Sequence, residues 1–454
     1  MSDDWLPVTL GDLIEVKHGF AFDGQYFREQ PTGSVLLTPG NFHVGGGFKR
    51  DKLKYYDGPV PGEYLLKPGD LIVTMTDLSK SGDTLGYPAL VPDSVSVRYL
   101  HNQRIGKVLL KPSAPVTKPF LYCLMRWKPY RDEVLASATG TTVKHTSPTR
   151  IAAFEFLLPS SAEQDAIASM FGALDAKIEL NCRMNETLEA IARAIFKSWF
   201  VDFDPVRAKA AGRHPAGISA NIAALFPKNF IDSTLGKIPA GWRATTLGAE
   251  ADRCRGTIQT GPFGSQLHAS DYVAEGVPVV MPQDIESRRV STVRISRVRE
   301  KDAVRLARHR LRVGDVVYSR RGDVERHALI SSREVGWLCG TGCLLARLGP
   351  KWPSPAFTSM ALDRPETRAW ISQHAIGATM PNLNTGILAA VPLIVPPDDI
   401  LSAFSRIVQP QDCLAVQHDA ECETLSTLRD TLLPKLLSGE LKVNQAEKAV
   451  GAAL

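Results

Sequence analysis

The sequence repeats itself at a separation of 237 residues. Trp5 is followed by a Leu-Gly pair at residues 10–11, and Trp242 is followed by the same pair at residues 247–248. Further matches at this offset, in the same order, are Thr117 with Ser354, Gly140 with Gly377, Pro159 with Pro396, and residues 186–188 with 423–425. Residues 66–70 match 311–315 at about 245 instead, which indicates an insertion within one half. The pattern predicts two diverged copies of one globular domain, each followed by a helix.

Residues 160–200 have the pattern of a helix that lies along another helix. Side chains recur every three to four residues, which is the spacing of a heptad seam. The predicted seam consists of Ile167, Phe171, Leu174, Ile178, Asn181, Asn185, Leu188, Ala192, Ile195 and Trp199. Ser160 and Glu163 have the spacing of a capping box, which predicts where the helix begins. A core helix of one large domain is the alternative, and the two asparagines could either fix the register or face solvent at a local break.

The repeat predicts a sister helix over residues 399–437. Its seam is less regular and consists of Phe404, Val408, Ala415, Leu425, Leu432 and Leu436. Pro410 is expected to kink or split this helix, because proline cannot donate a hydrogen bond to the preceding turn. Gly439 is a stop signal. If a pseudo-twofold axis relates the two halves, the helices pack antiparallel with a globular domain at each end.

The predicted fold class is α+β: two similar mixed α/β domains joined by two long antiparallel coiled-coil helices, with a pseudo-twofold internal repeat. The predicted segments are a first domain at 1–159, a spacer helix at 160–200, a linker at 201–241, a second domain at 242–397, a second spacer helix at 398–443 and a flexible tail at 444–454. Short apolar runs predict strands near 35–38, 70–75, 107–110, 154–158, 277–281, 315–319, 344–348 and 391–395. Helices are expected at 118–136 and 355–374, and a short one near 218–226 in an otherwise extended linker.

The composition is ordinary for a water-soluble protein, with 44% apolar and 22% charged residues. The seven cysteines are odd in number and scattered, which is typical of a reducing cytosol. No signal-like segment and no long apolar run occurs, so we expect a cytoplasmic protein with no membrane span. Cys339 and Cys343 are close together, but no second pair completes a zinc site, so no metal is expected.

Motifs for catalysis are missing from the sequence. No P-loop is present. The triplet at residues 204–206, Asp-Pro-Val, is not the loop with which adenine methyltransferases hold a flipped base. Two carboxylate-x-lysine pairs, at residues 175–177 and 440–442, lie on or beside the predicted long helices without an acidic partner on a strand. The sequence therefore predicts a binding protein without catalytic residues or a cofactor of its own.

Arginine dominates residues 288–333, which favours contacts with phosphates and base edges over an ordinary solvated face. Several turns carry side chains suited to such contacts, because arginine pairs with guanine and asparagine with adenine. These candidates are Gln103, Arg104, Lys144, His145, Arg320, Arg321, Asn382 and Asn384. For each, the alternative is an exposed residue that caps its own turn.

Three segments resemble the specificity subunits of type I restriction-modification systems: residues 163–191, 197–212 and 425–443. The run GPFGSQL at residues 261–267 looks like an opening element of their target-recognition domains, which adds Ser265 and Gln266 to the candidate DNA contacts. The resemblance implies double-stranded DNA as the ligand, two DNA-methyltransferase subunits docked on the helices, and restriction subunits that join the complex. It also implies that S-adenosylmethionine, ATP and magnesium belong to those partners.

Two diverged domains on a rigid spacer could read two half-sites separated by about one duplex turn. The predicted function is therefore recognition of an asymmetric DNA site in two parts. Two alternatives remain. One is a coiled-coil scaffold that joins two protein-binding domains and does not bind DNA. The other is a fragment of a fused methyltransferase–specificity polypeptide, against which the Trp-Leu-Gly opening directly after Met1 argues.

Overall fold

A computed structural model describes residues 5–50, 53–94, 96–377 and 380–451. The chain divides into two compact units. The first comprises Met1–Leu180 and Glu421–Leu454, and the second comprises Asn181–Ala420. Each unit therefore contains a mixed α/β region and one half of each long helix.

The first unit begins with alternating short strands and helices and ends on a long helix. In chain order its elements are β1 (Leu6–Thr9), α1 (Leu10–Leu13), β2 (Ile14–His18), β3 (Phe27–Arg28), β4 (Ser34–Leu36), β5 (Lys54–Tyr56), β6 (Leu65–Leu66), β7 (Leu71–Thr74), β8 (Thr76–Asp77), β9 (Pro88–Leu90), β10 (Arg98–Leu100), β11 (Ile105–Leu110), α2 (Lys118–Leu124), α3 (Lys128–Ala136), β12 (Lys144–His145), α4 (Pro148–Ala152), β13 (Glu155–Leu158) and α5 (Ser161–Phe200).

The second unit begins within α5 and ends within a second long helix. Its further elements are α6 (Asp204–Ala210), α7 (Ala220–Leu225), β14 (Phe230–Ser233), β15 (Gly236–Pro239), β16 (Arg243–Thr246), α8 (Leu247–Arg253), β17 (Thr257–Thr260), β18 (Tyr272–Val273), β19 (Val277–Val280), β20 (Ile285–Glu286), β21 (Arg289–Val290), β22 (Ser296–Val298), α9 (Glu300–Arg305), β23 (Val316–Ser319), β24 (His327–Leu329), β25 (Leu338–Cys339), β26 (Cys343–Arg347), α10 (Pro355–Leu362), α11 (Pro365–His374), α12 (Thr385–Ala389), β27 (Pro392–Val395) and α13 (Asp398–Leu437). A final helix, α14 (Val443–Gly451), returns to the first unit.

The two units share two parts of their strand pairing, although a third sheet differs: it has five strands in the first unit, β3-β5-β4-β10-β6, and four in the second, β18-β22-β19-β25. In the first, β1 pairs antiparallel with β13, starting with Leu6 opposite Leu158. In the second, β16 pairs antiparallel with β27, starting with Arg243 opposite Val395, and both residues are shifted by the repeat offset of 237. The four-stranded sheets have equivalent orders, β2-β11-β7-β9 and β17-β26-β23-β24. The predicted α+β fold with an internal repeat is confirmed.

The seam of the first unit joins the start of α5 to the end of α13. Ser160 caps α5 as predicted, because its backbone N–H donates to Glu163 at 3.1 Å and the Glu163 N–H donates back to the Ser160 hydroxyl at 3.4 Å. The seam residues buried in one core here are Ile167, Phe171, Leu174, Leu425, Leu432 and Leu436, with Ile178 partly buried against them. Arg429 donates to Asp175 at 3.1 Å, and Cys422 donates to the carbonyl of Ile178 at 3.7 Å. Residue numbers rise along one helix as they fall along the other, so the pairing is antiparallel.

The seam of the second unit joins the end of α5 to the start of α13, again antiparallel. The Asn185 amide donates to the carbonyl of Ala415 at 3.2 Å and to Asp419 at 2.8 Å. Farther along α5, Phe196 and Trp199 pack on Phe404 with ring centroids 6.2 and 6.0 Å apart. Trp199 is buried in this core, Ile195 is partly buried against it, and Leu188 is half-buried. Asn185 therefore lies inside the seam, which excludes a solvent-facing break there.

The two helices predicted within the α/β regions are each split. The predicted 118–136 helix is α2 and α3, and the predicted 355–374 helix is α10 and α11. Pro129 and Pro365 lie in the first turns of α3 and α11, where proline needs no hydrogen bond to a preceding turn. By contrast, α13 continues through Pro410. Pro410 and Arg406 lie on the solvent side, where water can bind the Arg406 carbonyl that proline leaves without an N–H, while Phe404 and Val408 hold the other side of the helix in the core.

Two predicted loops are packed parts of the fold. Residues 201–241 were expected to be extended apart from a short helix near 218–226, and that helix is α7. The rest is not simply extended, because it also forms α6 and the β14–β15 hairpin, with Phe203, Val206, Phe226 and Ile238 buried in the second core. The predicted flexible tail 444–454 is wrong over its described part. Helix α14 buries Ala446 and Val450 in the first core, and residues 452–454 lie outside the described residues. Pro and Gly marked the turns in these segments, but the spaced apolar residues decided the packing.

Candidate nucleic-acid interface

In the first unit, Met75, the residue after β7, is hydrogen-bonded to two loops in which the sequence predicts DNA contacts. The N–H of Met75 donates to the carbonyl of Arg104 at 2.9 Å, and the carbonyl of Met75 accepts from the N–H of Thr146 at 3.0 Å. The next two residues form β8, which pairs with β12, so that His145 lies opposite Thr76. The predicted contacts Gln103, Arg104, Lys144 and His145 are thereby brought to one end of the sheet.

The side chains at this end of the sheet are polar and accessible. Gln103, Arg104 and His145 are exposed, and Lys144 is half-buried. The His145 Nδ1 lies 3.2 Å from the Thr76 hydroxyl, which orients the ring. A surface of this kind offers hydrogen-bond donors and acceptors, as contacts with a polar ligand require.

Two buried groups fix the loops that carry these residues. Burial raises the pKa of Asp77, but hydrogen bonds from Thr84 and Ser79 outweigh this effect and keep the pKa below its ordinary value. The Thr84 hydroxyl donates to Asp77 at 2.6 Å, and the Ser79 N–H donates at 2.7 Å. Burial lowers the pKa of His101 to about 4, so this ring is neutral near pH 7 and donates from Nε2 to the carbonyl of Ile105 at 2.9 Å. It thus holds the turn that contains residues 103–104.

The second unit has the same backbone arrangement after β23. The N–H of Arg320 donates to the carbonyl of Gly342 at 2.8 Å, and the carbonyl of Arg320 accepts from the N–H of Leu383 at 2.8 Å. Arg321 then forms an antiparallel bridge with Asn382. Three of the predicted contacts, Arg320, Arg321 and Asn382, are therefore brought together.

We call these two arrangements the strand-exit clusters. Their backbones match residue by residue, whereas their side chains differ at every position. In the first unit the cluster consists of Met75, Thr76, Arg104 and His145, and in the second of Arg320, Arg321, Gly342 and Asn382. Two sites with one framework and different side chains are suited to binding two different versions of one kind of ligand.

At least six of the thirteen arginines in the run at 288–333 are engaged with carboxylates of the chain itself. Those in ion pairs include Arg288, Arg289, Arg299, Arg305, Arg310 and Arg326. Within the part of the chain that the structure describes, Arg320 and Arg321 have no carboxylate partner. The Nε of Arg320 and the Oδ1 of Asn382 are also buried without a hydrogen-bond partner among the described residues. Buried polar atoms without partners are costly, which favours a cluster that is completed by a ligand.

Two other predicted contacts cap their own turns. The Asn384 side chain accepts from the N–H of Ile387 at 2.8 Å and caps α12, as Ser147 caps α4 at the matching position of the first unit. The Gln266 side chain accepts from the N–H of Phe263 at 3.1 Å. For these two residues the capping alternative describes the observed contacts.

The loop after β17 nevertheless lies beside the second cluster. The N–H of Gly261 donates to the carbonyl of Cys343, the neighbour of Gly342, at 2.9 Å. Ser265 and Phe263 of this loop are exposed. Met75, Thr76 and Gly342 were not predicted, because their place in the clusters depends on tertiary hydrogen bonds. Only their alignment across the repeat could have found them.

The structure also bears on metals and membranes. Among the described residues, no group of three or more His, Cys, Asp or Glu side chains is arranged to hold a metal ion. No helix in the described part of the chain is both long and apolar enough to cross a membrane.

Comparisons with known proteins agree with this architecture. Residues 2–190 match the family model of the type I restriction modification DNA specificity domain. The specificity subunit of the type I restriction enzyme HindI from Haemophilus influenzae is 25% identical over 412 residues, which cover 80% of this chain and 87% of that protein. The specificity subunit of the type I restriction enzyme EcoBI from Escherichia coli is 22% identical over 451 residues, which cover 97% of this chain and 87% of that protein.

One solved structure has a similar fold. The S subunit of a type I restriction-modification system from M. genitalium has a TM-score of 0.55 at 16% identity, and the match covers 96% of this chain and 97% of that chain. At this identity the likeness concerns the fold. Together the matches confirm the resemblance to type I specificity subunits that three segments of the sequence had indicated.

Proposed function

We propose that this chain, which resembles type I specificity subunits, is the non-catalytic DNA-reading subunit of a type I restriction-modification complex in the cytoplasm. In this proposal, each α/β region reads one half of a DNA site. The two half-sequences differ, so the whole site is asymmetric and is divided by a gap of fixed length.

The pair of strand-exit clusters carries this proposal. One backbone framework occurs twice, and the side chains that reach its surface are Arg104 and His145 in one copy and Arg320, Arg321 and Asn382 in the other. Base-edge readout depends on side-chain identity, whereas a shared framework sets a common approach to the duplex. Two such clusters would select two different short sequences.

The charge of the second cluster supports DNA as its ligand. Arg320 and Arg321 are not neutralised by carboxylates among the described residues, although Arg310 and Arg326 nearby in sequence are. Arginine binds phosphates and guanine edges in a bidentate fashion. Part of the binding energy would come from phosphates, so affinity should fall as salt rises.

The spacer offers a surface for partner subunits. Met184 and Ile191 lie seven residues apart on one face of α5 and are 38% and 44% exposed, while Ala192, Phe196 and Phe200 of the same helix are buried in the second core. We propose that this face contributes to docking of two DNA-methyltransferase subunits, and that restriction subunits join the assembly. The methyl donor, ATP and magnesium would then act in those partners.

In vitro selection of duplex DNA tests the proposal. The full chain, mixed with its methyltransferase subunits, is incubated with a random duplex library, and bound molecules are sequenced. The expected result is two enriched blocks separated by an unselected gap of constant length. The methyltransferase subunits alone serve as the control and should enrich no such pair. If the complete mixture enriches no sequence, the chain is better described as a protein scaffold.

A further inference from the structure

A strained hairpin of the second unit lies against the spacer helices. It consists of β20 and β21, and its two turn residues, Ser287 and Arg288, have φ angles of +46° and +65°. Residues other than glycine rarely adopt this left-handed conformation, and contacts elsewhere must compensate for its cost. The Arg288 side chain is only 10% exposed, although arginine normally extends into solvent.

The contacts of Arg288 hold the hairpin to α5. Its Nε donates to the Ser359 hydroxyl at 3.0 Å, and its Nη1 lies 3.4 Å from a carboxylate oxygen of Glu189. The same Glu189 oxygen accepts from Arg193 at 2.9 Å, and Arg193 also pairs with Asp363 at 2.9 Å. Glu189 thus connects the hairpin to the spacer, and Arg193 connects the end of α10 to it.

Arg289 connects the hairpin to the other long helix, α13. It pairs with Asp419 of α13. The second oxygen of Asp419 accepts from the Asn185 amide of α5 at 2.8 Å, and the Asn185 oxygen lies 2.8 Å from Nδ1 of His418. Asn185, a polar residue of the seam, is therefore part of the network that holds the hairpin.

The first unit has a related contact at the matching place in the repeat. There, a loop that contains Gly45 follows the 3-10 turn Pro39–Asn41. In the second unit, the β20–β21 hairpin follows the 3-10 turn Pro282–Asp284 in the same way. The Nε of Arg126 donates to the loop carbonyl of Gly45 at 2.8 Å, and the same guanidinium pairs with Asp175 of α5. Arg126 is 4% exposed, and Arg429 of α13 also donates to Asp175 at 3.1 Å.

We propose that Arg288 and Arg289 in the second unit, and Arg126 in the first, are positioning residues that set the length of the DNA gap. They fix the orientation of each α/β region on its own part of the spacer helices. None belongs to a strand-exit cluster, and they act on DNA recognition only through this orientation. The inference rests on the proposed function, because it assigns a cause to the fixed gap.

A merely structural role is the competing explanation, and it makes a different prediction. Breaking an ion pair that is largely buried leaves one uncompensated charge and lowers stability whatever the pair does for orientation. Loss of orientation would in addition let the complex accept duplexes with shorter or longer gaps. The gap preference therefore separates the two roles, whereas a melting temperature alone does not.

The test uses the full chain in complex with its methyltransferase subunits. The substrates are duplexes that carry both half-sequences found by selection with the wild-type complex, with the gap unchanged or altered by one or two base pairs. The variants are Glu189→Gln and Asp175→Asn, which preserve side-chain size, and Arg288→Lys as the conservative change. Arg299→Gln is the control, because the carboxylates that Arg299 pairs with among the described residues, Asp271 and Asp302, belong to its own α/β region.

We expect Glu189→Gln and Asp175→Asn to reduce the preference for the native gap by about tenfold, equivalent to the loss of one orienting interaction. Arg288→Lys should retain most of the preference, Arg299→Gln should retain all of it, and both half-sequences should stay unchanged in every variant. If folded Glu189→Gln and Asp175→Asn keep the wild-type gap preference, the inference is wrong. If one of them does not fold, the other decides.

The outcome for the wild-type complex separates this inference from the proposed function. A wild-type complex that binds no two-part site overturns the proposed function, and the inference falls with it. A wild-type complex with one preferred gap, whose variants keep that preference, overturns the inference alone.

Discussion

Met75 and Arg320 hold the same place in the two repeats, and the same pair of backbone hydrogen bonds flanks each. The N–H of Met75 donates to the carbonyl of Arg104 at 2.9 Å, and that of Arg320 donates to Gly342 at 2.8 Å. Both carbonyls accept from the loop that precedes a short helix. The framework is the same in both copies, while the accessible side chains beside it differ: Arg104 and His145 in one copy, Arg320 and Arg321 in the other. This combination is expected of a protein that reads two different sequences with one fold.

Replacement of Arg321 with alanine should relax recognition of one half-sequence only. Arg321 is exposed beside Asn382 and has no carboxylate partner among the described residues, so its guanidinium is available to a base edge. A lost bidentate contact costs about 1–3 kcal/mol, or roughly tenfold to a hundredfold in affinity. Binding to duplexes with single substitutions in each half would reveal the change.

Arg312→Ala is the matched control for this variant. The Arg312 side chain is also exposed and has no carboxylate partner in the described structure, but Arg312 precedes β23, whereas Arg321 follows it. Arg312→Ala should leave both half-sequences unchanged. Equal losses from the two variants would mean that Arg321 contributes only general charge.

Replacement of Asn384 should affect stability and leave sequence recognition unchanged. The side chain caps α12 through the N–H of Ile387, so Asn384→Ala should lower the free energy of unfolding by about 1 kcal/mol. Asn384→Ser should restore most of this loss, because serine caps the matching helix α4 at Ser147. Urea unfolding measures the first effect and duplex binding the second. A change of half-sequence in Asn384→Ser would show that the amide reads a base.

The stabilising effect of His101 should depend on pH. Burial lowers its pKa in the folded protein to about 4, while the unfolded chain binds the proton near pH 6.5. Its contribution to stability is therefore complete above about pH 6.5 and is lost as the pH falls towards 4. His101→Gln, which can still donate to the Ile105 carbonyl, should be clearly less stable than wild type at neutral pH and nearly equal to it near pH 4. A stability difference that does not vary with pH in urea unfolding would contradict this assignment.

Lengthening the spacer should lengthen the gap in the DNA site. Seven residues inserted after Leu180 in α5, and seven after Ala420 in α13, keep the heptad phase of both helices. They add about 10 Å of helix, which corresponds to roughly three base pairs. Selection of bound DNA should return the same two half-sequences with a longer gap. A changed half-sequence would contradict the role of the helices as a spacer.

The parts of the fold that local sequence determines were predictable. The capping box at Ser160 and Glu163 marks the start of α5, and the apolar seam around Phe171 and Leu432 predicts its pairing with α13. The internal repeat predicts the equivalence of the two units. In each case the signal lies in spacing along the chain, which secondary structure translates directly into a face or an end.

The parts that depend on distant residues were not predictable. The arginine-rich run appeared to be a basic surface, but Arg288 and Arg289 are used within the fold because Glu189 and Asp419 reach them from other elements. Asn384 proved to cap a helix whose start the sequence did not indicate. Sequence alone identifies a side chain's chemistry, whereas the structure decides whether that chemistry is already satisfied.

The most direct test of whether this chain directs methylation to a two-part DNA site is genome-wide mapping of methylated adenine, in cells with and without its gene. We expect one methylated motif, with two different half-sequences and a gap of constant length, that disappears on deletion of the gene. Complementation with the wild-type gene should restore the motif. Complementation with the Arg321→Ala variant should restore it with relaxed specificity in one half-sequence. If the set of methylated motifs stays the same after deletion, in cells that express the complete system, this chain does not direct methylation to a DNA site.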